Sequence, residues 1–225
     1  PASLDFPQAA ALPLTAITAW EAMFDRLRIS PKGEDAGKSV LIIGGAGGVG
    51  SIGIQLAKVL AGLTVIATAS RPESEAWCRG LGADHTIDHH GDIPAQLRAL
   101  GFAHVDFVLC FNDTDRHFNA MAEAIAPQGT ICTIVENTGP LAISALKNKS
   151  AGFVWELMFT RAMFQTPDMI AQHRLLNEVA RLIDAGKLRT TVGDNLGTIN
   201  AANLRRAHAL LEGGRTIGKL VLSGF

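Results

Sequence analysis

Apolar positions recur along this chain in two ways, and the switch between them marks its elements. Val40-Leu41-Ile42-Ile43 is an unbroken apolar run of the kind a strand buried on both faces shows. Ser51 to Ala61 follows with apolar residues at helical spacing. Thr64 to Ala67 predicts a second strand, Glu73 to Leu81 a helix closed by Gly82, and Thr86 to Asp88 a third strand. Val105 to Cys110 reads as a fourth strand, Asp115 to Ala126 as a helix stopped by Pro127, and Thr130 to Val135 as a fifth strand. A sixth lies within Gly152 to Trp155, before a long helix, Asp168 to Ala185, closed by Gly186. Strands separated by helices imply βαβ units, hence an α/β fold with a doubly wound parallel sheet covered on both faces. Phe6 to Leu27 is helical material punctuated by Pro7 and Pro13. From Leu188 the order becomes strand, helix (Ala201 to Glu212, ended by Gly213-Gly214) and last strand (Lys219 to Leu222). That tail does not read as another βαβ repeat. The pattern divides the chain into a connecting segment (1–30), a main domain (31–190) and a C-terminal segment (191–225).

The first strand runs into Gly45-Ala46-Gly47-Gly48-Val49-Gly50, a G-x-G-x-x-G that opens a helix. In this strand-turn-helix setting it is the dinucleotide-binding fingerprint of a Rossmann fold. Gly45 is assigned to the tight turn, Gly47 to close backbone approach to a pyrophosphate, and Gly50 to helix–strand packing. The helix N-terminus adds free N–H donors and partial positive charge for phosphates. NAD-selective folds place a carboxylate near the end of the second strand to hold the ribose 2′-OH. Here Ala67-Thr68-Ala69-Ser70-Arg71 has none, and the next acid is Glu73. Ser70 and Arg71 offer a hydroxyl and a guanidinium where a 2′-phosphate would lie, so the predicted cofactor is NADPH.

Composition narrows the class. The 225 residues are 48% hydrophobic and 18% charged with net charge −1, and no basic run suggests a nucleic-acid partner. Apolar stretches are broken well short of a membrane span. Cys78, Cys110 and Cys132 are isolated and read as core thiols of a reducing, cytoplasmic compartment. No signal peptide is read before the fold, and an opening Pro1 rather than Met suggests a fragment of a longer protein.

Ala11-Leu12-Pro13-Leu14-Thr15-Ala16-Ile17-Thr18-Ala19-Trp20 precedes the glycine loop, which continues as Ser51-Ile52-Gly53-Ile54-Gln55-Leu56-Ala57-Lys58. With Leu81-Gly82-Ala83-Asp84 and the closing Gly218-Lys219-Leu220-Val221-Leu222, the chain resembles the medium-chain dehydrogenase/reductases over nearly its whole length. Within them it is most similar to the quinone oxidoreductase and zinc-type alcohol dehydrogenase-like branches. The resemblance implies an NADPH-dependent reductase of quinones, enones or small carbonyls, acting on a small-molecule substrate as a homodimer. It also implies a GroES-like barrel domain that these residues lack, toward which the tail from about Gly193 would return. The family's zinc ligands, where present, and its tyrosine near the nicotinamide belong to that barrel, and this chain contains no tyrosine.

By the same resemblance Ala46 to Val49 hold the pyrophosphate, Ser70 and Arg71 the 2′-phosphate, and His89 the adenosine end. Phe111 and Asn112 turn over the cofactor; Val135, Glu136 and Trp155 to Leu157 flank the nicotinamide. Other groups read more plainly. His85, His89 and His90 do not converge as metal ligands across a strand and loop, so no metal is assigned. Asn112-Asp113-Thr114-Asp115 reads as a helix cap supplied by Thr114 or Asp115, not as a calcium string. Thr15 and Thr18 read as helix packing before substrate contact, and Lys147 and Lys149 as solvated. No residue presents itself as a catalytic acid. Two other functions stay open: a zinc alcohol dehydrogenase with its ligands in the absent barrel, and a non-catalytic NADPH-binding module.

Overall fold

A computed structural model describes residues 1–224. Two short helices, α1 (Phe6–Ala10) and α2 (Pro13–Trp20), open the chain, and α2 runs into a π-helical turn, Glu21–Arg26. The sequence expectation of one helical stretch with Pro7 and Pro13 as punctuation thus resolves into helices carrying a proline in the first turn, where the missing N–H costs nothing. The main sheet comprises β1 (Ser39–Ile43), β2 (Thr64–Thr68), β3 (His85–Ile87), β4 (Val105–Cys110), β5 (Ile125–Thr133) and β6 (Gly152–Trp155). All pairings are parallel and the order is β3-β2-β1-β4-β5-β6. The doubly wound sheet expected from the sequence is therefore present, with its switch point between β1 and β4.

The crossovers are α3 (Gly48–Val59), α4 (Pro72–Gly80), α5 (Ile93–Ala99) and α6 (Thr114–Ala124), followed after β6 by α7 (Thr160–Met163) and α8 (Ile170–Asp184). Every residue of β1 is buried, and the sheet separates two apolar clusters. One gathers α2, α3 and α8 around Val40 and Ile42; the other gathers α5 and α6 around Leu41 and Ile43. Alternation of neighbours to opposite faces is what period 2 demands of a strand covered twice.

Three expectations change. Helix α5 and a 3₁₀ turn, Ile143–Lys149, were not evident in the pattern: α5 has only one helical turn of apolar spacing behind its Asp92 cap. Strand β5 starts at Ile125 and not at Thr130, and ends at Thr133 and not at Val135. Pro127 stays in the strand because the register with β4 slips there, with Gln128 at φ 64°, so no ladder donor is demanded of the proline. The tail is β7 (Val192–Asn195), α9 (Ala201–Glu212) and β8 (Lys219–Val221), and β7 pairs with β8 in parallel. It is a βαβ unit after all. Its strands are short and half-exposed, so they lack the apolar run that marked the main sheet.

The tail is tied to the main domain near the glycine loop. Gln55 on α3 accepts from Arg189 N at 2.8 Å and donates to Arg189 O at 3.3 Å. Gly218 N donates to Ala46 O at 2.8 Å, and Gly218 bridges Gly47. At the far side, Asp84 accepts from Lys58 Nζ and Val65 N, which gives the Leu81-Gly82-Ala83-Asp84 segment a structural job. No helix among the described residues is long and apolar enough to cross a membrane.

A buried ionic knot lies just beyond the end of β6. Glu156, directly after β6, and Glu21, on the π-helical turn, are both buried. Arg26 Nε donates to Glu156 Oε2 at 2.7 Å, and Arg161 pairs with Glu21, with Asp25 at 2.9 Å and with Asp168 at 3.0 Å. Glu21 Oε2 and Glu156 Oε1 have no hydrogen-bond partner. Burial, then the neighbouring Glu21 carboxyl, pushes the Glu156 carboxyl up to about 7. The Glu156 carboxyl is therefore protonated below neutrality.

Candidate functional site

The carboxyl ends of β1, β2, β3 and β4 surround a cavity of about 670 Å³. Its floor is the β1–α3 turn. Gly44 takes the left-handed conformation there, φ 83°, so it and not Gly45 makes the tight turn. Gly45 has a packing role instead: a Cβ on it would stand 2.8 Å from Ala67 Cβ and 3.2 Å from Cys78 Sγ. A Cβ on Gly50 would meet Gly44 O at 2.2 Å, which is the close helix–strand approach expected of the third glycine. Gly44 N donates to Thr68 Oγ1 at 3.0 Å, pinning the turn to β2.

Gly47 is the N-cap of α3 with extended backbone and no side-chain cap, so first-turn N–H donors stay free for an anion. A Cβ on Gly47 would touch only Gly44 O, at 3.3 Å, and the loop is open on its pocket side, where Ala46 and Gly47 line the cavity. Gly48 and Val49 lie in the first turn of α3 outside that lining, and the aliphatic stem of Lys219 from β8 passes over Gly48.

Ser70 and Arg71, after β2, form one wall, with Ser74 beneath them. Ser74 Oγ donates to Arg71 O and accepts from Arg71 N, fixing the start of α4. Arg71 Nη2 donates to Arg215 O at 2.7 Å, so the 214–216 loop of the tail closes the pocket from above. His89 and His90 come from the loop after β3, and Phe111, Asn112 and Arg116 from the β4–α6 side. The lining thus holds three arginines and two histidines and no carboxylate.

Seven of the sequence-named residues (Ala46, Gly47, Ser70, Arg71, His89, Phe111 and Asn112) meet in this one cavity. Val135 and Glu136, after β5, and Trp155, at the end of β6, are exposed and lie outside it, further along the same sheet edge. Arg116 and Arg215 were not singled out from sequence. Arg116 sits one turn into a helix whose approach to β3 depends on the sheet order, and Arg215 follows a Gly-Gly pair that looked like a simple helix stop.

Other candidates find structural work. Thr15 Oγ1 donates to Ala11 O and Leu12 O, and Thr18 Oγ1 to Leu14 O, so both hydroxyls are engaged within their own helix. Lys149 Nζ donates to Ala122 O, Glu123 O and Ile125 O, capping α6 rather than standing in solvent. Asp113, not Thr114 or Asp115, caps α6 through Arg116 N, while Thr114 is buried and donates to Val135 O. All three cysteines are buried, and burial first of all pushes Cys78 and Cys132 up to about 12 and Cys110 to about 11. None is a thiolate nucleophile near neutral pH. Among the described residues no three His, Cys, Asp or Glu side chains gather as a metal cluster.

Comparison with known proteins places these features. The zinc-binding dehydrogenase family matches residues 81–222. A zinc-type alcohol dehydrogenase-like protein of Staphylococcus aureus is 44% identical over 224 residues, covering 99% of this chain and 67% of its own. Among solved structures, a candidate zinc-dependent alcohol dehydrogenase from Rhizobium etli is 52% identical with TM-score 0.94, covering 100% of this chain and 66% of that one. An NAD-dependent alcohol dehydrogenase is 29% identical with TM-score 0.83, covering 100% and 61%. The chain therefore spans about two thirds of the length of these relatives.

Proposed function

The chain belongs to the zinc-binding dehydrogenase family, within the medium-chain dehydrogenase/reductases, and from that premise we propose that it is the nicotinamide-binding part of an NADPH-dependent oxidoreductase. The observation that carries the choice of cofactor is the charge of the pocket. Arg71, Arg116 and Arg215 converge on a cavity without a carboxylate, where an NAD-selective site needs one. In this reading a 2′-phosphate lies between them and Ser70, and charge-assisted hydrogen bonds to it would be worth roughly 1.5–3 kcal/mol each. The NAD dependence of one structural neighbour belongs to that protein.

In this reading the pyrophosphate sits on the Gly45–Val49 loop and the N-terminus of α3, and His89 borders the adenosine end. Phe111 and Asn112 carry the chain over the cofactor, and Val135, Glu136 and Trp155 border the nicotinamide. Bound NADPH supplies a hydride, and this chain's own residues bind and orient it. No described cluster fits a zinc ion, so no step here passes through one. The favoured substrates are quinones, enones or small carbonyls. A zinc alcohol dehydrogenase whose ligands lie in a segment outside these residues is the alternative.

The reading extends to a homodimer. β6 is an unpaired edge, and Trp155, Phe159, Met163 and Phe164 near it are 43%, 50%, 64% and 73% exposed. An apolar group of this kind beside an open strand edge marks an association surface. Calorimetric titration of the chain with NADPH and NADH at matched ionic strength tests the cofactor assignment. Tight NADPH and weak NADH binding supports it; equal affinities, or binding of neither, refute it. Light scattering at high concentration tests the dimer, which a monodisperse monomer refutes.

A further inference from the structure

The pocket contains a histidine pair for which phosphate binding alone gives no use. His89 is half-buried in the lining, and its Nδ1 is buried without a partner. Behind it stands His117 of α6, 2% exposed, whose Nε2 is also buried and unpartnered. The two rings meet edge to face with centroids 6.2 Å apart. Joining the two nitrogens would take one bridging water or a rotation of either ring. Two orphaned imidazole nitrogens in adjacent rings call for a physical account, since buried polar groups are nearly always paired.

The surroundings supply it. On its own loop His89 faces Asp88 and His90, whose ring lies 4.2 Å from its own. From the β2–α4 loop it faces Arg71, and from α6 Arg116 and His117; Arg215 lines the same cavity from the tail. Asp113 adds a carboxylate near His117. Arg116 Nη2 lies 2.9 Å from His90 Nδ1 and can only donate, so in this contact the His90 nitrogen accepts. Burial foremost, then His90 and the two arginines, hold His89 below the ordinary imidazole range against the pull of Asp88. Burial with Arg116 and His89 pushes His117 down to about 4. The cations thus favour neutral imidazoles, and a dianion set among them inverts the preference at the ring nearest to it.

We propose that His89 is a proton-linked member of the phosphate site. As a 2′-phosphate enters among Arg71, Arg116 and Arg215, His89 takes one proton from solvent. As an imidazolium it donates one N–H toward the phosphate and the other to His117 Nε2, directly or through a water. No covalent bond changes, and one proton moves from buffer to protein. His117 is the positioning residue: held neutral, it remains an acceptor where a second cation would repel. The inference rests on the NADPH reading and adds its regulation. Preference for NADPH over NADH grows as pH falls, by up to tenfold per pH unit while free His89 is neutral and bound His89 charged.

The test is calorimetry of the full chain at pH 7.5, where a phosphomonoester is largely dianionic, in phosphate-free buffers of different ionisation enthalpy. NADPH is expected to bind with uptake of up to one proton, and NADH with none. His89→Gln abolishes the uptake, and His117→Phe reduces it. An independent readout needs no variant: the His89 Cε1–H resonance moves to its imidazolium position when NADPH is added, and stays in place with NADH. NADPH preferred over NADH, but with the same enthalpy in every buffer and an unmoved resonance, overturns the proton linkage while the phosphate site stands. Equal binding of the two cofactors overturns the phosphate reading and this inference with it.

Discussion

Replacing Glu156 by glutamine isolates its raised carboxyl just after β6. Glutamine keeps the volume but cannot ionise. Glu156 titrates at about 7 in the fold against an ordinary 4.5, mainly because it is buried. A folded value raised above the unfolded one gives stability that is complete below the unfolded pKa and lost as pH rises through the folded one. The difference is about 2.5 pH units at 1.36 kcal/mol each, so on the order of 3 kcal/mol disappears between pH 5 and pH 8. His117 acts in the opposite sense. Its value is lowered from 6.5 to about 4, mainly by burial, so its contribution is present above 6.5 and is lost as pH falls toward 4. In the wild-type chain the two largely cancel between pH 5 and 6.5, and a gentle decline remains above 6.5. Glu156→Gln removes one partner from that balance. Relative to wild type the variant should gain about 3 kcal/mol from pH 5 to pH 8, roughly 6–12 °C in melting temperature for a chain of this size. Urea unfolding at half-unit pH steps measures it. A variant-minus-wild-type difference that does not change with pH would refute the raised Glu156 carboxyl.

Arg71→Ala should weaken NADPH at least about tenfold while leaving NADH little changed, because one charge-assisted contact to the 2′-phosphate is lost; fluorescence titration decides, and equal losses for both cofactors count against the site. Gly50→Ala should abolish binding of either cofactor and lower the melting temperature, since its Cβ would sit 2.2 Å from Gly44 O with only backbone to yield; calorimetry showing wild-type affinity would contradict this. Lys149→Met should cost about 1–3 kcal/mol in urea unfolding by stripping a donor from the Ala122, Glu123 and Ile125 carbonyls. Wild-type stability would return Lys149 to the solvated role its sequence suggested.

The sequence made the fold legible where one element carried its own signal. The buried run Val40–Ile43, the glycine loop and the alternation that follows required a parallel sheet, and the six strands form one. It was less legible where local pattern and tertiary setting disagree. Pro127 marked the end of a helix by its missing N–H, yet a register slip beside β4 lets the chain enter β5 two residues earlier. Gly44 and Gly45 share a residue type but not a role, because only φ separates turn from contact, and φ is set by the strand before and the helix after. The site divides in the same way. Ser70, Arg71 and His89 directly follow strands, so strand ends located them. Arg116 and Arg215 reach the pocket, and His117 stands behind His89, only through the sheet order and the docking of the tail, which no local spacing encodes. The two arginines raise its positive charge from one guanidinium to three. Two of the three guanidiniums in the lining are thus placed by the topology, and on the proposed NADPH reading a change that loosens the tail, as at Gln55 or Gly218, should weaken cofactor selection without touching the glycine loop's own residues.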